Sequence, residues 1–291
     1  MTTVVKELGE VRGPLLVFGG PYSNLQATQA LFAKADELDI PLSNIICTGD
    51  VVAYCGDPGA TTDLIHASGI HVIKGNVELS LSAGAQDCGC GFEEGSACDL
   101  LSVQWFNQAV KEVSTQQLDW KAALPDFIQF TYAGHRFEIV HGTRREVSRF
   151  VFASDDHSAL FSDMAQRSID VTLSGHNGIP YTRGNSDHLW HNAGVIGMPA
   201  NEGETHTWYS VIEERASGEI EFRHERLTFD QAAAAKNMRE KGYPEAYATA
   251  LETGLWPSLD ILPETEKAMT GKSLQSQLQP QLLQAHQRKA A

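Results

Sequence analysis

Short apolar runs alternate with helical patterns in the first part of the chain. Residues 15–18 are an unbroken apolar run, and residues 44–48 and 70–74 also read as strands; each of the three ends in a polar turn containing glycine. Between them, residues 24–38 and 61–68 have the apolar spacing of amphipathic helices. Buried strands that alternate with helices indicate a parallel sheet, which binds ligands at the carboxyl ends of its strands.

The second half of the chain has strand patterns with different connections. Residues 127–132 and 135–140 flank the two-residue turn Ala133-Gly134, which predicts an antiparallel hairpin. Further strands are predicted at residues 169–173, 188–192, 208–213 and 220–225. Two mixed sheets that pack face to face, with helices outside, accommodate all of these strands.

The composition changes after Phe229, where helix formers dominate. Helices are predicted at residues 231–241 and 244–252. The last residues are rich in glutamine around Pro280 and predict a frayed helix, a disordered tail or an arm on a partner subunit. We therefore expect one domain over residues 1–265 and a Gln-rich tail over residues 266–291, with a homo-oligomer as one use of that tail.

The charge excludes one class of function. Lys and Arg number 22 and Asp and Glu 37, so the formal net charge of the 291 residues is 22 − 37 = −15. An extended nucleic-acid surface needs a stripe of basic side chains, which this chain lacks. No apolar stretch approaches the roughly 20 residues that span a bilayer, and the start of the chain does not resemble a signal peptide. We expect a cytoplasmic protein without membrane contact, whose five cysteines are reduced.

Polar side chains follow four of the predicted strands: Asp50, Asn76, His141 and His176. Each lies beside a glycine, which lets the backbone turn sharply so that a short side chain points into a shared cleft. One carboxylate, one amide oxygen and two imidazoles suit a divalent transition metal such as manganese, iron or zinc. Any one of these residues alone is more often a turn or cap residue. Their recurrence on four strands predicts a metal site.

The order of these motifs resembles that of the calcineurin-like metallophosphoesterases, in particular the bacterial branch similar to diadenosine tetraphosphatases and small phosphodiesterases. The resemblance covers roughly residues 14–226 and rests on Gly49-Asp50, Gly75-Asn76-Val77-Glu78, His141-Gly142, Gly175-His176-Asn177-Gly178 and the turn at residues 192–199. It implies an α/β fold, a four-layer αββα sandwich of two mixed sheets, followed here by C-terminal helices. It also implies two metals held on the loops at the strand ends.

The departures from the family pattern fall on one metal position. Where the family has Asp-x-His, this chain has Gly20-Pro21-Tyr22, and Gly178 replaces the second His of Gly-His-x-His. Val77 replaces the catalytic His. The residues that the resemblance assigns to the other metal are all present: Asp50, Asn76, His141 and His176. The resemblance therefore implies one metal per chain, with Asp50 and His141 acting in catalysis through water that the metal activates.

Three further side chains are candidates for binding the substrate. Tyr22 replaces a metal-ligand His, and its phenol could donate to a phosphate; the alternative is a buried ring that fills vacated space. Arg144 and Arg145 follow His141-Gly142 and could bind phosphate oxygens as forked donors. The alternative for them is two surface arginines in an acidic chain.

A cysteine-containing loop follows Gly75-Asn76. Cys88, Cys90 and Cys98 are candidates for a soft-metal or redox site, although their spacing matches no zinc ribbon. The alternative is that they are ordinary buried loop residues.

The leading functional hypothesis is a divergent metal-dependent phosphoesterase that hydrolyses a phosphomonoester, a phosphodiester or a nucleotide. Its partner would then be a small phosphorylated substrate. The alternative is a catalytically weak or inactive pseudoenzyme that binds a nucleotide or a protein partner. The loss of the Asp-x-His pair and of two other histidines motivates this alternative.

Overall fold

A computed structural model describes residues 3–284 of the chain. Within that range the chain forms twelve strands. In chain order they are β1 (Val5–Val11), β2 (Leu15–Phe18), β3 (Ile45–Cys47), β4 (His71–Val72), β5 (Phe127–Tyr132), β6 (His135–Ile139), β7 (Val171–Ser174), β8 (Tyr181–Gly184), β9 (Leu189–Asn192), β10 (Thr207–Glu214), β11 (Glu219–Leu227) and β12 (Gln281–Gln284).

Nine α-helices connect or follow the strands within the same range. They are α1 (Leu25–Glu37), α2 (Pro58–Ser68), α3 (Asn76–Ser82), α4 (Ala97–Glu112), α5 (Thr115–Ala123), α6 (Ser158–Gln166), α7 (Gln231–Glu240), α8 (Glu245–Thr253) and α9 (Glu264–Lys267). None of the helices in the described part of the chain is both long and apolar enough to cross a bilayer.

The strands form two six-stranded mixed sheets, in the orders β1-β5-β6-β7-β9-β8 and β12-β11-β10-β2-β3-β4. β2, β3 and β4 are parallel neighbours, and α1 and α2 connect them. β5 and β6 form the predicted antiparallel hairpin. The predicted α/β fold of two mixed sheets with helices is therefore confirmed.

The main core lies between the sheets, and separate apolar clusters join each sheet to its helices. Side chains from both sheets, such as Leu15, Phe137 and Phe222, are completely or almost completely buried in one cluster. A second cluster joins β2 and β3 to α1 and α2, and a third joins β8 and β9 to α6. Burial on both faces explains why the central strands read as unbroken apolar runs.

The C-terminal segment returns to the body of the same chain. β12 pairs antiparallel with β11 at the edge of the second sheet. Leu274 and Leu278 are buried beside Trp208. Part of the predicted tail is thus an edge strand here, and residues 285–291 lie outside the described residues. A role of the tail in oligomerisation stays a prediction.

Candidate metal centre

The four predicted ligands meet at the carboxyl ends of strands from both sheets. Asp50 follows β3, and Asn76 is the first residue of α3, just after β4. His141 and His176 follow the parallel neighbours β6 and β7 of the other sheet. All four side chains are buried. Parallel strand ends therefore bring together residues that are up to 126 positions apart in sequence.

The donor atoms converge on His141. Its Nε2 atom lies 3.0 Å from Asn76 Oδ1, 3.0 Å from His176 Nδ1 and 3.2 Å from Asp50 Oδ2. A tetrahedral ion with bonds of 2.0–2.1 Å would have ligand atoms about 3.3 Å apart. Asp50, His141 and His176 form a group that could hold a metal ion. The spacing of the donors, with Asn76 as the fourth, fits such an ion.

Backbone carbonyls fix the tautomers of both imidazoles. His141 Nδ1 lies 2.7 Å from the carbonyl oxygen of Thr48, and His176 Nε2 lies 2.9 Å from that of Ser148. Each of these nitrogens donates its hydrogen to a carbonyl, which leaves the lone pair of the other ring nitrogen directed into the cluster. Metal-binding histidines are commonly oriented in this way. Two such lone pairs 3.0 Å apart need a cation between them, either a proton or a metal ion.

The pKa shifts describe the cluster without a metal ion. Burial favours neutral His141, but the Asp50 carboxylate outweighs burial and raises the pKa of His141 above its usual value. Burial also opposes ionised Asp50, yet His141 lowers the pKa of that carboxyl group. Burial and the positive charge of His141 lower the pKa of His176 to about 3. At neutral pH the cluster therefore holds the Asp50 carboxylate and the neutral His176 imidazole, and both are suitable ligands.

The backbone around the cluster is locally strained. Asp50, His176 and Tyr22 have φ angles of 54°, 66° and 51°, in the left-handed region that side chains rarely adopt. Gly75 is needed for close approach, because a Cβ atom there would lie 2.1 Å from Asp50 Oδ1. Strained residues of this kind concentrate at functional sites.

A buried ion pair supports the loop that carries Asp50. Glu78 accepts hydrogen bonds from the backbone nitrogens of Asp50, Val51 and Gly75, at 2.7, 3.0 and 2.9 Å. Its Oε1 atom also lies 3.8 Å from Nζ of Lys121, and both side chains are completely buried. The sequence shows Glu78 within a motif, but nothing in the pattern indicates that Lys121 is its partner.

The cysteine loop packs against the amide of Asn76. Asn76 Nδ2 donates to the carbonyl oxygen of Cys88 at 2.9 Å and lies 3.4 Å from Sγ of Cys90. These contacts direct Oδ1 of the same amide towards His141. Cys88 and Cys90 form a disulfide, so the expectation of reduced thiols is wrong for this pair. Because neither sulfur is then a thiolate, the pair does not offer soft-metal ligands in this state. Cys98 is free and half-buried.

The two candidate arginines are not brought to the metal cluster. The Arg144 guanidinium lies over the ring of Phe127, 3.8 Å from its centroid, and 3.5 Å from Glu138 Oε1. Arg145 is mostly exposed and pairs with Asp163 at 3.0 Å. Both line a pocket that none of the four cluster residues lines. Their side chains therefore turn away from the cluster, and sequence spacing does not reveal this direction.

A pocket lined mainly by aromatic side chains adjoins the cluster at His176. Its walls carry Tyr22, Tyr54, Phe92, Phe150, Tyr247 and Trp256. We call this space the aromatic pocket. Tyr22 is thus placed beside the cluster, with a buried ring that packs edge-on against Tyr54 at a centroid distance of 4.8 Å. Sequence reasoning found Tyr22 and missed the other five rings, which come from distant segments.

Comparison with known proteins identifies the family. The sequence model of the calcineurin-like phosphoesterase superfamily domain matches residues 22–215. That match covers more than half of the chain, so the protein belongs to this superfamily. The predictions of a metallophosphoesterase relationship and of a hydrolytic enzyme are confirmed. No curated protein matches the chain.

Solved structures share the fold. A metallophosphoesterase from Sphaerobacter thermophilus is 19% identical, with a TM-score of 0.62, over 84% of this chain and 100% of that chain. A hypothetical protein from Pyrococcus horikoshii OT3 is 14% identical, with a TM-score of 0.69, over 84% of this chain and 99% of that chain. At these identities the likeness establishes the fold alone.

Proposed function

We propose that this protein is a phosphoesterase that works with one divalent transition metal per chain. The observation that carries the proposal is the convergence of four donor atoms on one point, with both imidazole tautomers set by backbone carbonyls. Asp50, Asn76, His141 and His176 would hold the ion. When bound, the ion would polarise a phosphoryl oxygen and lower the pKa of a water molecule. The substrate class is a phosphomonoester, a phosphodiester or a nucleotide.

The residues at the second metal position of the family pattern support one ion per chain instead of two. Gly20 and Tyr22 occupy the place of the Asp-x-His pair, and Gly178 replaces the last His. A Cβ atom on Gly20 would lie 2.4 Å from the Tyr22 ring, and one on Gly178 would lie 3.2 Å from the Trp256 ring. Aromatic rings therefore fill the space beside both positions. None of these residues contributes a carboxylate or an imidazole.

The chain's own residues limit the chemistry. Val77 is buried and donates its backbone N–H to Asp50 Oδ1 at 3.2 Å, so this position orients a ligand but supplies no proton to a leaving group. Loss of a general acid typically lowers the rate of such a reaction by about 10²–10⁴-fold, and we expect a loss of that order here. We therefore expect the enzyme to favour esters whose leaving groups are stable as anions, such as p-nitrophenolate.

Hydrolysis of p-nitrophenyl phosphate and of bis(p-nitrophenyl) phosphate tests the proposal. The protein would be loaded with manganese, iron or zinc, and its metal content measured by elemental mass spectrometry. His141→Ala should abolish both metal binding and hydrolysis. His66→Ala is the matched control, because His66 is exposed on α2 and stacks on Trp120. Turnover that persists in His141→Ala would refute the assignment.

A pseudoenzyme remains the second candidate, because Gly20, Val77 and Gly178 stand where the resemblance places functional side chains. It predicts that metal-loaded wild type binds phosphorylated ligands with no turnover in the same assay. Turnover that requires Asp50 would exclude it.

A further inference from the structure

Two of the three places where family ligands are missing lie in the wall of the aromatic pocket. Tyr22 and Gly178 both line it, next to the retained ligand His176. The Trp256 ring covers Gly178, whose φ of +77° and proximity to that ring both oppose a side chain. In this chain the places of these two ligands therefore border a mainly apolar cavity.

Two groups of stacked rings define the pocket. Phe150 stacks on His176 at a centroid distance of 4.2 Å, and Phe92 stacks on Phe150 at 6.1 Å. On another wall, Tyr54 packs against Tyr22 and Tyr247, each at 4.8 Å. Rings in these arrangements accept a further aromatic group by offset stacking or edge contact.

The C-terminal segment contributes a distinct wall. Tyr247 lies on α8, and Trp256 follows it, so both are outside residues 22–215 that match the family model. Trp256 is held by hydrogen bonds from its ring nitrogen to the carbonyl oxygen of Pro199 at 2.6 Å and from its backbone nitrogen to Asn201 Oδ1 at 2.8 Å. The ring position is thus fixed from two sides.

The lining carries no formal charge at neutral pH. Within residues 3–284 no Lys, Arg, Asp or Glu lines the aromatic pocket. Burial raises the pKa values of the Tyr22, Tyr54 and Tyr247 phenols, so these groups stay neutral. A chain of phosphates placed there would lose its hydration without a cationic partner, which is costly.

We propose that the aromatic pocket binds the aromatic substituent of a phosphoester whose single phosphate lies at the metal cluster. The inference rests on the proposed function and narrows its substrate class. It favours aromatic esters of one phosphate over dinucleoside polyphosphates and nucleoside triphosphates, whose additional charges have no partner in this pocket.

Binding and hydrolysis should be measured separately on manganese-loaded full-length protein. Calorimetric titration would compare 1-naphthylmethylphosphonate with methylphosphonate, which carry the same charged group and are not esters. Kinetics would compare 1-naphthyl p-nitrophenyl phosphate with methyl p-nitrophenyl phosphate, which share a leaving group and a single negative charge. Diadenosine tetraphosphate is the comparison substrate with several phosphates.

We expect the naphthyl compound to bind at least about tenfold more tightly than the methyl compound, from apolar burial and ring stacking. The naphthyl ester should have a correspondingly higher kcat/KM, and diadenosine tetraphosphate the lowest. Trp256→Ala should reduce the naphthyl preference severalfold. If Trp256→Ala fails to fold, Phe92→Leu replaces it as the pocket variant, because Phe92 is only partly buried. Leu100→Ala is the control, since Leu100 is 59% exposed and does not line the pocket.

The outcomes separate the two proposals. Equal binding of the naphthyl and methyl phosphonates, or an unchanged preference in both pocket variants, would overturn the pocket inference even if both esters were hydrolysed. A naphthyl preference that depends on Trp256, without hydrolysis of any ester, would support the pocket and refute the proposed phosphoesterase. Faster hydrolysis of diadenosine tetraphosphate than of the naphthyl ester would also overturn the inference.

Discussion

Glu78→Gln should destabilise the fold and weaken the metal site together. The carboxylate accepts three backbone N–H groups with its two oxygens, and an amide nitrogen cannot accept any of them. If the nitrogen replaces Oε1, the Val51 N–H loses its partner; if it replaces Oε2, two N–H groups lose theirs. One unsatisfied buried donor costs about 1–3 kcal/mol. The Lys121 ammonium also loses its buried countercharge, and removing one partner of a buried ion pair typically costs about 3–5 kcal/mol, so the total is at least about that much.

The metal site should respond because Glu78 holds the Asp50 loop. Loss of a residue that orients ligands typically weakens metal binding by about 10–100-fold. Urea unfolding of metal-free protein would measure the first effect, and manganese titration by calorimetry the second. Glu240→Gln is the control, because Glu240 is exposed and pairs with Lys236 on the same helix. It should change the free energy of unfolding by less than about 0.5 kcal/mol.

A double-mutant cycle isolates the ion pair from the hydrogen bonds. Lys121→Met leaves Glu78 with its three N–H donors, so it should cost less than Glu78→Gln. The double variant should be about 1–3 kcal/mol more stable than the sum of the two single costs predicts, because no unpaired ammonium remains buried. Additive costs, or a Glu78→Gln variant within 1 kcal/mol of wild type and with unchanged manganese affinity, would refute this reasoning.

Three further perturbations test the Gly75 turn, the buried His191 and the cysteine loop. Gly75→Ala would place a Cβ atom 2.1 Å from a carboxylate oxygen of the cluster, so manganese affinity should fall at least about tenfold in the same titration; unchanged affinity would contradict the observed close approach. Burial lowers the pKa of His191 well below its usual value, while two hydroxyl groups bond its ring nitrogens. The unfolded chain therefore binds a proton below pH 6.5 that the folded chain excludes, and stability should fall by about 1.4 kcal/mol per pH unit below about that pH. His191→Gln should lessen this slope, and an unaltered slope in urea unfolding would count against the assignment. Replacing Cys88 and Cys90 with serine should weaken manganese binding severalfold, because the Asn76 amide loses its sulfur contact; equal affinity would show that the loop does not orient the amide.

The sequence predicts those parts of the fold that are set locally. β2 and β3 are buried on both faces, so they appear as unbroken apolar runs, and the turns after them carry glycine for steric reasons. β1 is mostly exposed at the edge of its sheet and has no apolar pattern, which explains why the sequence does not reveal it. The same reasoning identifies Asp50 and His176 as candidate ligands, because each lies in the short turn after a strand.

The remaining parts of the site depend on tertiary packing. Phe92, Phe150, Tyr247 and Trp256 come from separate segments, and no spacing rule relates them before the sheets bring them together. Arg144 lies three residues beyond His141 in sequence, yet its side chain contacts Phe127 and Glu138 elsewhere. Sequence distance therefore predicts the position of backbone loops better than the direction of long side chains.

The number of metal ions per chain distinguishes a single metal site from two sites or none. Elemental mass spectrometry should be applied to protein purified without chelator and then loaded with manganese, iron or zinc. We predict about one ion per chain in wild type and none in His141→Ala. Two ions per chain, or none after loading, would contradict a single site held by Asp50, Asn76, His141 and His176.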